Sequence, residues 1–148
     1  MSDYRIETKC IQSGYEPGNG EARVLPIYQS TTFKYGSSEQ MGRLFDLEEN
    51  GYFYTRLANP TNDAVAEKIA QLEGGVAALV LASGAAAITY TIQALAQAGE
   101  HIVAQKTIYG GSYNLLAHTL PQYGISTTFV DAHNLEELEA AIQENTKA

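Results

Sequence analysis

The chain has 148 residues, 45% of them hydrophobic, which is enough for one core and predicts a single domain or a piece of one. A formal net charge of -8 with 9 Lys plus Arg leaves no basic stripe to neutralise nucleic-acid phosphates. Cys10 is the sole cysteine, which excludes an intrachain disulfide or cysteine metal cluster and fits a reducing cytoplasm.

In chain order, the polar Met1-Ser2-Asp3-Tyr4-Arg5 carries no visible export signal. Residues 1–59 then read as an extended amino-terminal arm, with Pro17, Gly18, Gly20, Pro26 and Gly36 scattered among Ser, Thr and Tyr. Its Tyr28, Phe33, Tyr35, Phe45, Tyr52, Phe53 and Tyr54 are too aromatic for a solvated tail, so the arm is expected to pack, and another subunit is the surface that suits it. Near its end, Tyr54 and Arg56 stand two residues apart in an extended-looking stretch and would point the same way. They form either a paired donor for an anionic group or a surface Arg beside a half-buried Tyr. A helix is expected to start at Asn59-Pro60-Thr61, where Pro60 needs no amide hydrogen. It carries Val65, Ile69 and Leu72 on one face and ends at Gly74-Gly75.

From Val76 the pattern becomes βα alternation, an incomplete α/β domain over residues 60–148. Apolar runs at Val76–Leu81, His101–Ala104 and Ile125–Val130 begin 25 and 24 residues apart, which suits strand plus crossover helix and predicts a parallel sheet. The stretch from Val76 to Ile88 is too short to span a bilayer. Between the runs, Ile88, Ile92 and Leu95, then Tyr113, Leu116 and Leu120, then Leu135, Leu138 and Ile142 fall at helical spacing and read as core faces. Gly99 is expected to end the first of these helices, and Asn134 to cap the last with Glu137 at its third position. The rhythm calls for another strand at Asn145-Thr146-Lys147-Ala148, so the chain reads as part of a longer protein.

Three segments carry candidate chemistry. Leu81-Ala82-Ser83-Gly84-Ala85-Ala86-Ala87 runs from a strand into a helix through small residues, exposing the Gly84 and Ala85 amides to an anion, or else making a tight packing contact. It lacks the glycines of a dinucleotide fingerprint, since Ala86 and Thr89 stand where they would be needed. Tyr109, in Ile108-Tyr109-Gly110-Gly111-Ser112, falls at the carboxyl edge of the sheet, where it either covers a flat cofactor or packs the loop. The scattered His101, His118 and His133 lack metal-ligand spacing, and no metal site is expected.

Four motifs in order resemble the Cys/Met-metabolism family of fold-type I pyridoxal-phosphate (PLP) enzymes, over most of the chain. These are Tyr54-Thr55-Arg56-Leu57-Ala58-Asn59-Pro60-Thr61, Leu72-Glu73-Gly74-Gly75, Ala82-Ser83-Gly84-Ala85-Ala86 and Tyr109-Gly110-Gly111-Ser112. The resemblance implies pyridoxal 5'-phosphate as cofactor, with Ser83, Gly84 and Ala85 at its phosphate and Tyr109 stacked on its ring as the catalytic residue. It further implies that Tyr54 and Arg56 reach the phosphate site of a neighbouring subunit in a cytoplasmic homo-oligomer, a homotetramer. The arm, through Val24–Phe33 and Leu44–Leu47, is similar to the O-acetylhomoserine sulfhydrylase branch, which serves methionine biosynthesis. That branch makes homocysteine from O-acetyl-L-homoserine and sulfide by γ-replacement. Ala58 and the run Ala85 to Ala87 depart from the branch. The family's Schiff-base lysine is expected downstream of Ala148, so this chain alone is expected to be inactive; Lys106, at a strand end, reads as a loop lysine. Methionine γ-lyase and the cystathionine synthases and lyases share the chemistry, and a non-catalytic truncated interaction module is the alternative of another class.

Overall fold

The computed structural model describes residues 4–148. The export-signal reading rests partly on Met1-Ser2-Asp3, which lie outside the described residues. Two compact units are present, one ending at Val80 and the other spanning Leu81–Ala148.

The first unit contains α1 (Ile6–Gln12), α2 (Ser38–Phe45) and α3 (Pro60–Glu73). The arm is thus interrupted by two short helices, and α3 groups with it. The signal for α2 is a Ser-x-x-Gln start flanked by breakers: Ser37 accepts the Gln40 amide, and the Gln40 side-chain oxygen accepts the Gly36 amide, one residue before the cap, at 2.6 Å. Arg43 and Glu49 pair at 3.0 Å behind it. The Glu49 carboxyl is held below its ordinary range by the Gln40 side-chain amide first and by Arg43 second. Helix α3 begins and ends as its residues require, with Asn59 capping, Pro60 in the first turn and Gly74 left-handed at φ 70°. Helix α1 lies against α3. The chain between them comes so close that a Cβ at Gly14, where φ is +87°, would run into the Ala64 carbonyl. Leu44 and Ala70 are buried here, whereas Val65 and Ile69, expected on one face of α3, are about half exposed at 48% and 47%.

The second unit contains α4 (Gly84–Leu95), β1 (His101–Gln105), α5 (Gly110–Asn114), β2 (Ser126–Val130) and α6 (Leu135–Ala141). Beyond α5 the backbone widens into a π turn at Leu115–Thr119 and tightens into a 3-10 turn at Leu120–Tyr123. Strands β1 and β2 pair in parallel, from His101 opposite Ser126 to Gln105 opposite Val130. On the other edge of β1, His101 donates its amide to Asn145 at 3.0 Å and accepts from Lys147 at 2.9 Å. A third parallel partner therefore starts where the βα rhythm places it.

The expected first strand does not form. Residues 76–81 have no ladder partner among the described residues, and Leu79 is 79% exposed. Residues 76–81 pair with neither β1 nor β2, so among the described residues the parallel sheet begins at His101 instead of Val76.

The core of this unit is Ala96, Ile102, Leu116, Leu120 and Ile125, with Ile92, Ile108 and Phe129 packed against it. Each fully buried aliphatic side chain contributes about 1.5–3 kcal/mol of burial. The helical stripes read as core are buried only in part. Leu116 and Leu120 are inside, but Ile88, Leu95, Leu135 and Ile142 are exposed because no described element covers those faces. Helix α4 ends at Leu95, before Gly99, which at φ +89° closes the following turn and bonds Gly124. Asn134 caps α6 as expected, accepting from the Glu136 and Glu137 amides. No helix among the described residues is long and apolar enough to cross a membrane.

The α4–β1 turn is held by Glu100, whose carboxylate accepts the Gln97 amide at 2.6 Å and meets Lys147 at 3.2 Å. The Gln97 amide first, then Lys147, lowers its pKa below the ordinary carboxylate value. A lowered folded-state pKa contributes stability above the ordinary carboxylate range, and that stability is lost as pH falls through the folded value. Protection of the Gln97 amide from hydrogen exchange is expected to fall on acidification through that window. Glu100→Gln, which keeps an acceptor without a charge, is expected to remove the dependence; an unchanged dependence in that variant would contradict the assignment.

Candidate functional site

Helix α4 begins with Ser83 in extended backbone, its hydroxyl accepting the Ala86 amide at 3.1 Å and its carbonyl accepting the Ala87 amide at 3.0 Å. That leaves the Gly84 and Ala85 amides without an acceptor among the described residues. Two unpaired donors at the positive end of a 12-residue helix favour an anion. A Cβ built on Gly84 meets nothing within 4 Å, so the space in front of these amides is open.

A cavity of about 410 Å³ opens there, lined by Gly84, Ala85, Ile88, Tyr109, Ser112 and Thr119 among others. Tyr109 stands at the start of α5 with 81% of its surface exposed. Its ring lies over Gly111, where a Cβ would come within 2.7 Å of Cε1. The structure therefore brings Gly84, Ala85 and Tyr109 to one cavity, with Ser83 capping the helix beside them. Free amides next to an exposed ring suit a flat group carrying an anionic arm. Ile88 and Thr89 also line this cavity, and their spacing of four from Gly84 and Ala85 signals a shared helix face. Thr119 had no such signal, because the π turn that brings it there is not a period of three or four.

Tyr54 and Arg56 belong to the other unit, where they meet as expected but by a different route. The segment is a turn and not an extended strand: the Tyr54 carbonyl accepts the Leu57 and Ala58 amides at 3.0 and 3.1 Å. The Arg56 guanidinium carbon sits 5.3 Å from the Tyr54 ring centroid. Stacking on the aromatic face leaves the in-plane N–H groups of the arginine able to bond an anion. Both residues line a second cavity of about 630 Å³ with Phe33, Lys34, Tyr35 and Phe45.

Lys106 is committed elsewhere. Its ammonium pairs with Asp131 at 3.5 Å, and its amide donates to Val130 at 2.8 Å. The Asp131 carboxyl is lowered by the His133 backbone amide first and by Lys106 after it. His101 is 1% exposed, with its ring nitrogens 2.8 Å from the hydroxyls of Thr146 and Thr128. It is a core histidine whose polar atoms are satisfied inside the sheet.

A family model described as Cys/Met metabolism PLP-dependent enzyme matches residues 7–148. The chain is 48% identical over 147 residues to an L-methionine gamma-lyase of Fusobacterium nucleatum subsp. nucleatum, covering 99% of this chain and 37% of that protein. It is 41% identical over 147 residues to an O-acetyl-L-homoserine sulfhydrylase of Leptospira meyeri, covering 99% and 33%. A crystal structure assigned as an O-acetylhomoserine (thiol)-lyase of Campylobacter jejuni, containing N'-pyridoxyl-lysine-5'-monophosphate, superposes with a TM-score of 0.90. Its sequence identity is 35%, over 97% of this chain and 36% of that one. The chain thus spans about a third of the length of the relatives it matches.

Gly111 gives a direct test of the ring position. Gly111→Ala is expected to displace the exposed Tyr109 ring while changing stability by no more than about 1 kcal/mol, because a free side chain gives way more readily than backbone. A crystal structure and melting curve of the variant check this; a ring left in place would contradict the observed packing.

Proposed function

We propose, since this chain belongs to the Cys/Met metabolism PLP-dependent enzyme family, that it supplies the phosphate-binding helix start and the ring-covering tyrosine of a PLP-dependent enzyme of sulfur amino-acid metabolism. The observation that carries this reading is the single cavity shared by Gly84, Ala85 and Tyr109. The residues fit the cofactor: two acceptor-free amides with open space before them suit a phosphate, and an exposed aromatic ring beside them suits a pyridine. When bound, PLP supplies an electron sink for carbanion chemistry next to the substrate amino group.

In this reading the Gly84 and Ala85 amides and the Ser83 hydroxyl hold the phosphate, and Tyr109 stacks on the cofactor ring as the catalytic residue of this segment. Tyr54 and Arg56 add donors to the phosphate site of a neighbouring subunit, so the assembly is a homo-oligomer with shared sites. The exposed aromatic arm and the uncovered helix faces support such an assembly. In this proposal the Schiff-base lysine comes from another part of the full-length protein and this segment alone is inactive, with Lys106 in a partly exposed ion pair with Asp131. Cytoplasmic location is part of the same proposal, consistent with a single unpaired Cys10.

The reaction proposed is γ-replacement, in which sulfide displaces acetate from O-acetyl-L-homoserine: the γ carbon–oxygen bond breaks, a carbon–sulfur bond forms, and homocysteine and acetate leave. A second reading, γ-elimination from methionine, is favoured by the 48% identity to a methionine gamma-lyase. The two separate in one assay of the full-length protein loaded with PLP. Homocysteine from O-acetyl-L-homoserine and sulfide supports replacement, and methanethiol with 2-oxobutanoate from methionine supports elimination. Neither product from active-site-loaded protein contradicts both. Mixed oligomers of Arg56→Ala subunits with subunits lacking the Schiff-base lysine test the shared site: partial return of activity is expected, and none in verified mixed oligomers would contradict sharing.

A further inference from the structure

The Asn59-Pro60-Thr61 segment has no role in the chemistry above, yet its asparagine is among the most buried polar residues of its unit, at 2% exposure. Its Oδ1 accepts the Thr61 amide at 2.9 Å, which caps α3. Aspartate or serine would cap as well. The carboxamide nitrogen does something they cannot: it donates to the Tyr28 carbonyl at 3.0 Å and to Thr55 Oγ1 at 3.1 Å.

One of those acceptors lies within the Tyr54–Arg56 turn, and the other lies on the incoming arm. Thr55 stands between Tyr54 and Arg56, donates its hydroxyl to the Ser30 carbonyl, and donates its amide to Thr31 at 2.9 Å. Tyr28 is anchored in the same way, giving its amide to Thr61 Oγ1 at 2.9 Å. Asn59 therefore closes a loop of hydrogen bonds joining the helix start, the turn and the incoming arm. Both hydrogens of the Asn59 carboxamide are used in that loop, and a network whose buried member has its side-chain partners rigidifies what it holds.

We propose that Asn59 is a positioning residue for the anion-binding pair Tyr54 and Arg56, its carboxamide nitrogen fixing the turn that carries them. This rests on the reading of Tyr54 and Arg56 as phosphate donors, and the test separates the two claims.

The experiment titrates PLP into the full-length apoprotein and records melting curves of the same samples. Asn59→Asp keeps the helix cap but turns the donor toward Tyr28 and Thr55 into an acceptor. It is expected to raise the PLP dissociation constant about tenfold, the size of one buried hydrogen-bond loss. In a Tyr54→Phe, Arg56→Ala background the same substitution is expected to change PLP affinity no further, because the groups it positions are gone. If Asn59→Asp does not yield folded protein, Thr55→Val removes the Asn59–Thr55 contact, together with the Thr55–Ser30 bond, while leaving the cap intact, and a rise of about threefold is expected, again absent in that background. An Asn59 effect that persists at full size in the background lacking both donors overturns the positioning role, as does a lower melting temperature with unchanged PLP affinity. If the Tyr54→Phe, Arg56→Ala background itself binds PLP as tightly as the parent, the phosphate-donor reading fails, and the positioning role fails with it.

Discussion

A helix start leaves backbone amides with no partner inside the helix, and the way this chain meets that constraint decides where its chemistry can occur. Asn134 takes two amides of α6, and Ser37 takes one of α2. Asn59 takes one of α3, with Pro60 removing another donor outright. At α4 the cap is partial: Ser83 claims the Ala86 amide and the Gly84 and Ala85 amides remain free. Helices α1 and α5 have no side-chain cap either, so what marks the start of α4 is the cavity that Gly84 and Ala85 share with the exposed Tyr109 ring.

Caps also connect local sequence to tertiary geometry. Asn59 is a cap by its oxygen and a clamp by its nitrogen, so one residue sets both the direction of α3 and the turn bearing Tyr54 and Arg56. In the second unit His101 has the corresponding place, satisfying both ring nitrogens on hydroxyls of Thr128 in β2 and Thr146 beyond α6. Buried polar groups with every partner present restrict their elements to few arrangements.

Local signals were legible and pairing was not. The start and end of α3 could be read from Pro60 and Gly74, and the cap of α6 from Asn134, because each depends on neighbours within a turn. The parallel direction of β1 and β2 followed from the βα rhythm, while their register did not. Residues 76–81 have the composition of a strand, but a strand exists only with a partner, and none among the described residues bonds to it. Helix α2 was hidden because the breakers around it, such as Gly36, drew the segment toward irregular structure. Of the site, Gly84 and Ala85 were legible as small residues opening a helix and Tyr109 as an aromatic after a strand, while Thr119 needed the π turn to reach the cavity. Tyr54 and Arg56 do meet, through a turn that alternation of side chains does not anticipate.

The central claim is that the free amides at the start of α4 receive a phosphate beneath the Tyr109 ring. A crystal structure of the full-length protein with PLP tests it most directly. The phosphate oxygens are expected within hydrogen-bond distance of the Gly84 and Ala85 amides, with the Tyr109 ring over the pyridine. A phosphate held elsewhere, for example at the Gly74-Gly75 turn, with the α4 amides still unpaired, would contradict it.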